Sequence, residues 1–115
     1  MSEVRSMILK RCFGNLDPQS SFLDVGCGVG ECLRLLSVLG FEDGYGIDFA
    51  PEMVIASRQK QLRVHLLDFE TQDIPSDWQW PTKFDAVYGF AFIHMFPVIR
   101  AATILRKMFV LARKR

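Results

Sequence analysis

Apolar positions along the chain change period several times, and the changes mark out its elements. Near the start, Val4, Met7, Ile8 and Leu9 share one helical face, which predicts a helix over about residues 2–13, stopped by Gly14-Asn15. Ser21 to Val25 is a short apolar run of strand character that passes directly into Gly26-Cys27-Gly28-Val29-Gly30. Glu31 to Leu39 has helical composition and ends at Gly40, where a left-handed cap fits. Tyr45 to Asp48 reads as a second strand. Pro51 then opens a helix through about Lys60, since proline in a first turn gives up an amide that has no intrahelical partner, although Ala50 is a poor N-cap. Val64 to Leu67 is a third strand, ending at Asp68, and a polar loop with Pro75, Trp78, Trp80 and Pro81 follows. Phe84 to Phe92 is the fourth. Its near-continuous apolar character predicts burial on both faces, as in a parallel sheet covered by helices. From about Val98 onward, Ile99, Ala102, Leu105, Met108 and Phe109 recur at helical spacing.

The resulting order is a helix, then β-α-β-α-β, a loop, β and a last helix. Such alternation implies a parallel sheet with right-handed crossovers, an α/β, Rossmann-like three-layer architecture. At 115 residues the chain makes one small domain, and a 50% hydrophobic content excludes intrinsic disorder. The longest apolar run, Ala86 to Ile93, falls well short of the roughly 18 residues needed to cross a bilayer. A net charge of +1 removes the general electrostatic case for nucleic acid or an anionic membrane, and Arg113-Lys114-Arg115 reads as a solvated helix end. Cys12, Cys27 and Cys32 form no CxxC pair and lie far from His65 and His94, so neither a disulfide framework nor a zinc or other metal site is expected. The first residues lack the apolar core of a signal peptide, and a reduced, cytoplasmic compartment is the expectation.

The strongest chemical signal is the strand that stops at three alternate glycines and runs straight into a helix. Glycine there admits a ligand to the backbone and permits positive φ, and the first amides of the Glu31 helix favour an anionic group. Asp48 ends the next strand, 20 residues after Gly28, where an acid can accept both ribose hydroxyls of a nucleoside. Asp24 and Asp68 end the first and third strands. Acids at three successive strand ends share the carboxyl edge, where open α/β sheets bind ligands. A dinucleotide fingerprint G-x-G-x-x-G would need its third glycine at position 31, but Glu31 stands there and would repel a pyrophosphate. The pattern present is D-x-G-x-G-x-G, Asp24 through Gly30. It offers an acid as well as amides, which suits a zwitterionic or cationic ligand.

With these residues the sequence resembles the class I S-adenosylmethionine-dependent methyltransferases. FLDVGCGVGECLRLL (22–36) is similar to that family's first motif and GYGIDFAPEMVIASR (44–58) to its second. HLLDFETQDIP (65–75) resembles the segment carrying the adenine-contacting acid, and KFDAVYGFAFIHMFP (83–97) the fourth-strand motif with its trailing histidine. LRKMFVLARKR (105–115) is similar to the start of the helix leading into a fifth strand. The resemblance implies S-adenosyl-L-methionine as cofactor and a small-molecule methyl acceptor. Asp24 and the backbone of Gly26, Gly28 and Gly30 would flank the methionyl part. Asp48 would take the ribose hydroxyls, with Phe49 against the adenine. Asp68 would accept from the adenine amino group while the Phe69 amide faces the ring edge, and the backbone around Phe90 would approach the amino-acid moiety.

Methyl transfer asks mainly for alignment, because the sulfonium already carries an activated methyl group. His94 is a candidate general base near the carboxyl edge; the competing reading is a hydrogen-bonded histidine opening the loop before Pro97. Cys27 is a small filler or a nucleophile. Trp78 and Trp80 either line an acceptor pocket or pack over the sheet, and His65 is expected to be structural. The resembled family is normally seven-stranded, in order 3-2-1-4-5-7-6, whereas this sequence supplies the 3-2-1-4 portion. The expectation is therefore a truncated chain, either a fragment, a short isoform or a degenerate copy, that retains the cofactor half. Its fourth-strand edge would be left open, to be covered by a homodimer partner or another chain. Two functions follow: a methyltransferase, or a nucleoside-binding module without turnover. A nicotinamide oxidoreductase is disfavoured by Glu31.

Overall fold

The computed structural model describes Met7, Arg11, residues 14–89 and residues 98–113. Met7 and Arg11 are helical, and the rest of the expected N-terminal helix lies outside the described residues. From there the order is β1 (Phe22–Val25), α1 (Glu31–Val38), β2 (Gly44–Asp48), α2 (Pro51–Gln59), β3 (Val64–Leu66), a 3-10 turn at Ser76–Trp78, β4 (Ala86–Tyr88) and α3 (Val98–Leu111). The four strands form one parallel sheet in the order β3-β2-β1-β4. β1 is thus central, with Asp24 opposite Gly46 on one side and Tyr88 on the other. This is the Rossmann-like α/β architecture read from the alternation of elements.

Both faces of β1 are buried because its side chains alternate between two cores. On one face Phe22 meets Leu33 and Leu36 of α1, Val54 of α2 and Val64 of β3. On the other, Leu23 and Val25 join Ile47, Phe69 and Phe84 under Ile104 and Met108 of α3. Full burial of each such side chain contributes about 1.5–3 kcal/mol, so these two layers are the main source of cohesion. α1 closes where expected: Leu39 caps it, and Gly40 takes φ +101°, a left-handed conformation costly for any side chain. α2 starts on Pro51 without a side-chain cap from Ala50.

The fourth strand departs from expectation. It spans Ala86–Tyr88 rather than beginning at Phe84, and all three residues are half-buried instead of enclosed on both faces. Among the described residues β4 pairs with β1 alone along this length, and no described strand lies on its outer edge. Residues 90–92 of the expected strand lie outside the described residues. Phe84 itself is fully buried and makes a separate parallel bridge with Ala112. The Phe84 amide donates to Leu111 O at 2.8 Å and the Arg113 amide donates to Phe84 O at 2.8 Å. The chain leaving α3 thus begins to lie along the outer edge of β4. Asp85 ties the arrangement together, accepting from the Ser21 amide at 2.9 Å while facing Arg113 Nε at 3.6 Å.

Candidate functional site

The turn joining β1 to α1 is built on three left-handed glycines, with φ of +69° at Gly26, +57° at Gly28 and +84° at Gly30. Two of them are glycine for different reasons. A Cβ on Gly28 would meet nothing within 4 Å, so this position leaves a face of the turn open. A Cβ on Gly30 would come within 2.4 Å of Leu62 Cδ1 and 3.2 Å of Ser57 Oγ, so here glycine lets the turn sit against α2. The turn is held from both sides. Gly26 and Cys27 amides donate to Ile47 O at 2.9 and 3.1 Å, and the Gly30 amide closes back on Cys27 O at 3.0 Å.

Asp48, buried at the end of β2, bonds with two backbone amides. Its Oδ2 accepts from the Gly28 amide and its Oδ1 from the Ala50 amide, each at 2.9 Å. A carboxylate has about four acceptor positions, so two remain for a ligand. Asp24, on the central strand, is also buried. Its neighbour is Tyr88, whose phenol is pushed well above its ordinary range by burial and by the Asp24 carboxylate. Asp68 is exposed: its carboxylate accepts from the Glu70 amide at 3.2 Å and its amide donates to Gln72 Oε1 at 2.9 Å. The Phe69 amide, by contrast, has no hydrogen-bond partner among the described residues.

Of the residues expected at the site, Gly26, Asp48, Phe49, Asp68 and Phe69 line one cleft at the carboxyl edge, floored by Ile47 and Ile104. Phe69 is buried there, whereas Phe49 is 56% exposed and lays its ring open to solvent. The cleft holds about 30 Å³, so a nucleoside-sized molecule reaching these residues would be covered on one side only by the described chain. Gly28 and Gly30 form the turn beside the cleft without lining it, and Asp24 is buried and does not line it either. Phe90 and His94 lie outside the described residues. A larger groove, about 570 Å³, opens elsewhere, between the 69–82 loop and α3; Phe69 is the one expected site residue that reaches it.

Several groups near the site carry no sequence motif. Ser57 on α2, fully buried, donates to Gly28 O at 2.9 Å, and Lys60 Nζ donates to Val29 O at 2.8 Å. Glu70 at the cleft pairs with Arg100 of α3 through both carboxylate oxygens, which holds the Glu70 carboxyl below its usual range. The only advance signal for these contacts is that α2 and α3 must pack beside the carboxyl edge. Cys27 is the filler of the two readings: burial, then the Asp24 and Asp48 carboxylates, push its thiol far above the range in which thiolate forms. Trp78 and Trp80 pack over the sheet through His65, whose ring lies 4.6 Å from Trp78 and stacks on Trp80 at 5.1 Å. Among the described residues no cluster of His, Cys, Asp and Glu could hold a metal ion.

A parallel sheet of order 3-2-1-4, with a glycine turn at its centre and acids at neighbouring strand ends, defines a Rossmann-like α/β protein with its cleft at the carboxyl edge. More specifically, residues 22–115 match the methyltransferase domain family, and the chain belongs to it. Among solved structures, the chain is similar to the sugar N-methyltransferase KedS8 of a Streptoalloteichus species, at 26% identity and a TM-score of 0.70, covering 93% of this chain and 41% of that one. It is also similar to CalS10, an amino pentose methyltransferase of Micromonospora echinaspora, at 23% identity and TM-score 0.72, covering 96% of this chain and 44% of that one. Magnesium protoporphyrin IX methyltransferase of Synechocystis, solved with bound SAM, gives 24% identity and TM-score 0.74, covering 96% of this chain and 53% of that one. The last two similarities speak for the fold alone. The chain spans roughly half the length of these proteins or less. No curated protein sequence matches it significantly.

Proposed function

We propose that this chain is the cofactor-binding half of an S-adenosyl-L-methionine-dependent methyltransferase acting on a small-molecule acceptor. The observation that carries the reading is the convergence of Gly26, Asp48, Phe49, Asp68 and Phe69 on one carboxyl-edge cleft beside the open face of Gly28. The donor set suits this cofactor. Asp48 keeps acceptor positions for two ribose hydroxyls while its existing bonds hold it in place. Phe49 offers an exposed ring to the adenine, Asp68 an acceptor for its amino group, and the unpartnered Phe69 amide a donor for its ring edge. Gly26, Gly28 and Gly30, with Asp24, would flank the methionyl part, and the backbone at Phe90 would approach the amino-acid moiety.

When bound, the cofactor supplies an activated methyl group on its sulfonium. The protein's work is then to hold the acceptor in line with it and to take up a proton where the acceptor carries one. His94 is the base candidate, carried by the sequence alone. No nucleic acid or membrane enters the reading: among the described residues no helix is long and apolar enough to cross a membrane, and the cytoplasm is the proposed compartment. A homodimer partner or another chain would cover the outer edge of β4, a role supported by the exposed Leu105 and Phe109 on α3.

Calorimetric titration with S-adenosylhomocysteine and with NAD tests the cofactor. Binding of the former is expected; no heat with it, or tight binding of NAD, overturns the reading. A second reading drawn from the same cleft residues is nucleoside binding without turnover. Methyl transfer to any of a panel of small acceptors would exclude it.

A further inference from the structure

On the reading that the glycine turn receives the cofactor's amino-acid part, we infer that Ser57 and Lys60 of the α2 segment are positioning residues that present the Val29 amide to that ligand. A trans peptide unit points its C=O and N–H in opposite directions. The Gly28 carbonyl is drawn toward α2 by Ser57 Oγ at 2.9 Å, so the amide of the same peptide unit, Val29 N–H, faces away from α2. The neighbouring peptide unit is fixed by Lys60 Nζ on Val29 O at 2.8 Å and by the Gly30 amide on Cys27 O at 3.0 Å. On the other side, the Cys27–Gly28 unit is fixed by the Gly28 amide donating to Asp48 Oδ2. Every amide from Gly26 to Gly30 therefore has an acceptor within the described chain except that of Val29, which is half-buried. A donor held in place in this way suits a carboxylate or another acceptor of the ligand.

Ser57 has simpler ways to satisfy its hydroxyl. A serine inside a helix commonly bonds back to the carbonyl one turn earlier. Here the hydroxyl is fully buried, so water does not compete for it, and it is spent on a carbonyl 29 positions away. Gly30 lets this happen by admitting Ser57 and Leu62 to within contact of the turn. The same segment carries Asp48 at its start, so a single rigid piece, β2 to α2, sets both the acid and the turn.

The test is calorimetry and amide NMR of the whole chain titrated with S-adenosylhomocysteine. Loss of the Ser57 hydroxyl in Ser57→Ala should weaken binding about fivefold, the worth of one hydrogen bond. It should also shrink the shift that the Val29 amide resonance undergoes on titration. Lys60→Met, at an exposed position, should weaken binding about twofold and Lys60→Arg should restore it. No binding by the unaltered chain overturns the cofactor reading and this inference with it. Binding by the unaltered chain, with unchanged affinity and unchanged Val29 response in Ser57→Ala, overturns the inference alone, even where the thermal midpoint falls. If Ser57→Ala does not fold, unchanged affinity in Lys60→Met overturns it in the same way.

Discussion

On the face of the sheet covered by α1 and α2, a hollow beside Phe22 and Leu33 holds about 110 Å³, and the glycine turn is braced by Ser57, Lys60 and Leu62. On the face covered by α3, the 69–82 loop and the helix leave a groove of about 570 Å³, and Leu105, Phe109 and Val110 are at least half exposed. The difference follows from connectivity. Each β-α-β crossover lays its helix over the strands it joins, so the first face is complete once β3 is in place. The other face is crossed between β3 and β4 by irregular chain containing only the turn Ser76–Trp78, and α3 is the only helix described on it. The α1–α2 face is therefore closed by successive crossovers, while the α3 face, which shares the candidate cleft through Phe69 and Ile104, keeps apolar side chains exposed.

The comparison is broken most strongly at Phe84, which anchors α3 to the sheet. Phe84→Ala should cost about 3–5 kcal/mol of stability, read from urea unfolding, because the cavity lies where α3 cannot easily collapse onto β4. Next comes Asp48→Ala at the cleft, which should cost about 1–3 kcal/mol of S-adenosylhomocysteine affinity by calorimetry. Unchanged affinity would remove the ribose role. A smaller effect is a pH dependence from His65, whose ring burial and the nearby Arg58 guanidinium lower its pKa below 6.5. The folded chain prefers the neutral ring, which accepts from Arg58 at 2.6 Å, so the unfolded chain protonates first on acidification. Stability should fall as pH drops below 6.5 toward the lowered folded value, and His65→Gln should flatten that part of a thermal-midpoint profile. Least of all, Phe109→Lys on the exposed side of α3 should change stability by less than about 0.5 kcal/mol. It should nevertheless reduce self-association measured by size exclusion, and association that persists would separate that surface from any partner contact.

Much of the candidate site was legible because its signals are local. The three glycines announce positive φ within five residues, and Asp48 ends β2, whereas β3 stops at Leu66, two residues short of Asp68. What escaped depends on how helices dock. Ser57 looks like any helical serine until α2 is laid against the turn, and nothing local in the sequence pairs Asp24 with Tyr88. The fourth strand was misjudged in start and burial for a related reason: apolar sequence reports what a residue prefers, whereas burial depends on whether a neighbouring strand is present to supply it. The tryptophans could be placed against the sheet, but not paired with His65, since that pairing joins a strand to a loop more than ten positions later.

The bridge between Phe84 and Ala112 has a consequence for anything built on the outer edge of β4. One residue of parallel pairing, held by two 2.8 Å hydrogen bonds and by Asp85 facing Arg113, fixes the direction in which the chain leaving α3 passes Phe84. A slip of one residue would exchange the side chains meant for α3 with those meant for the opposite face. The bridge therefore acts as a register pin between the end of α3 and the sheet.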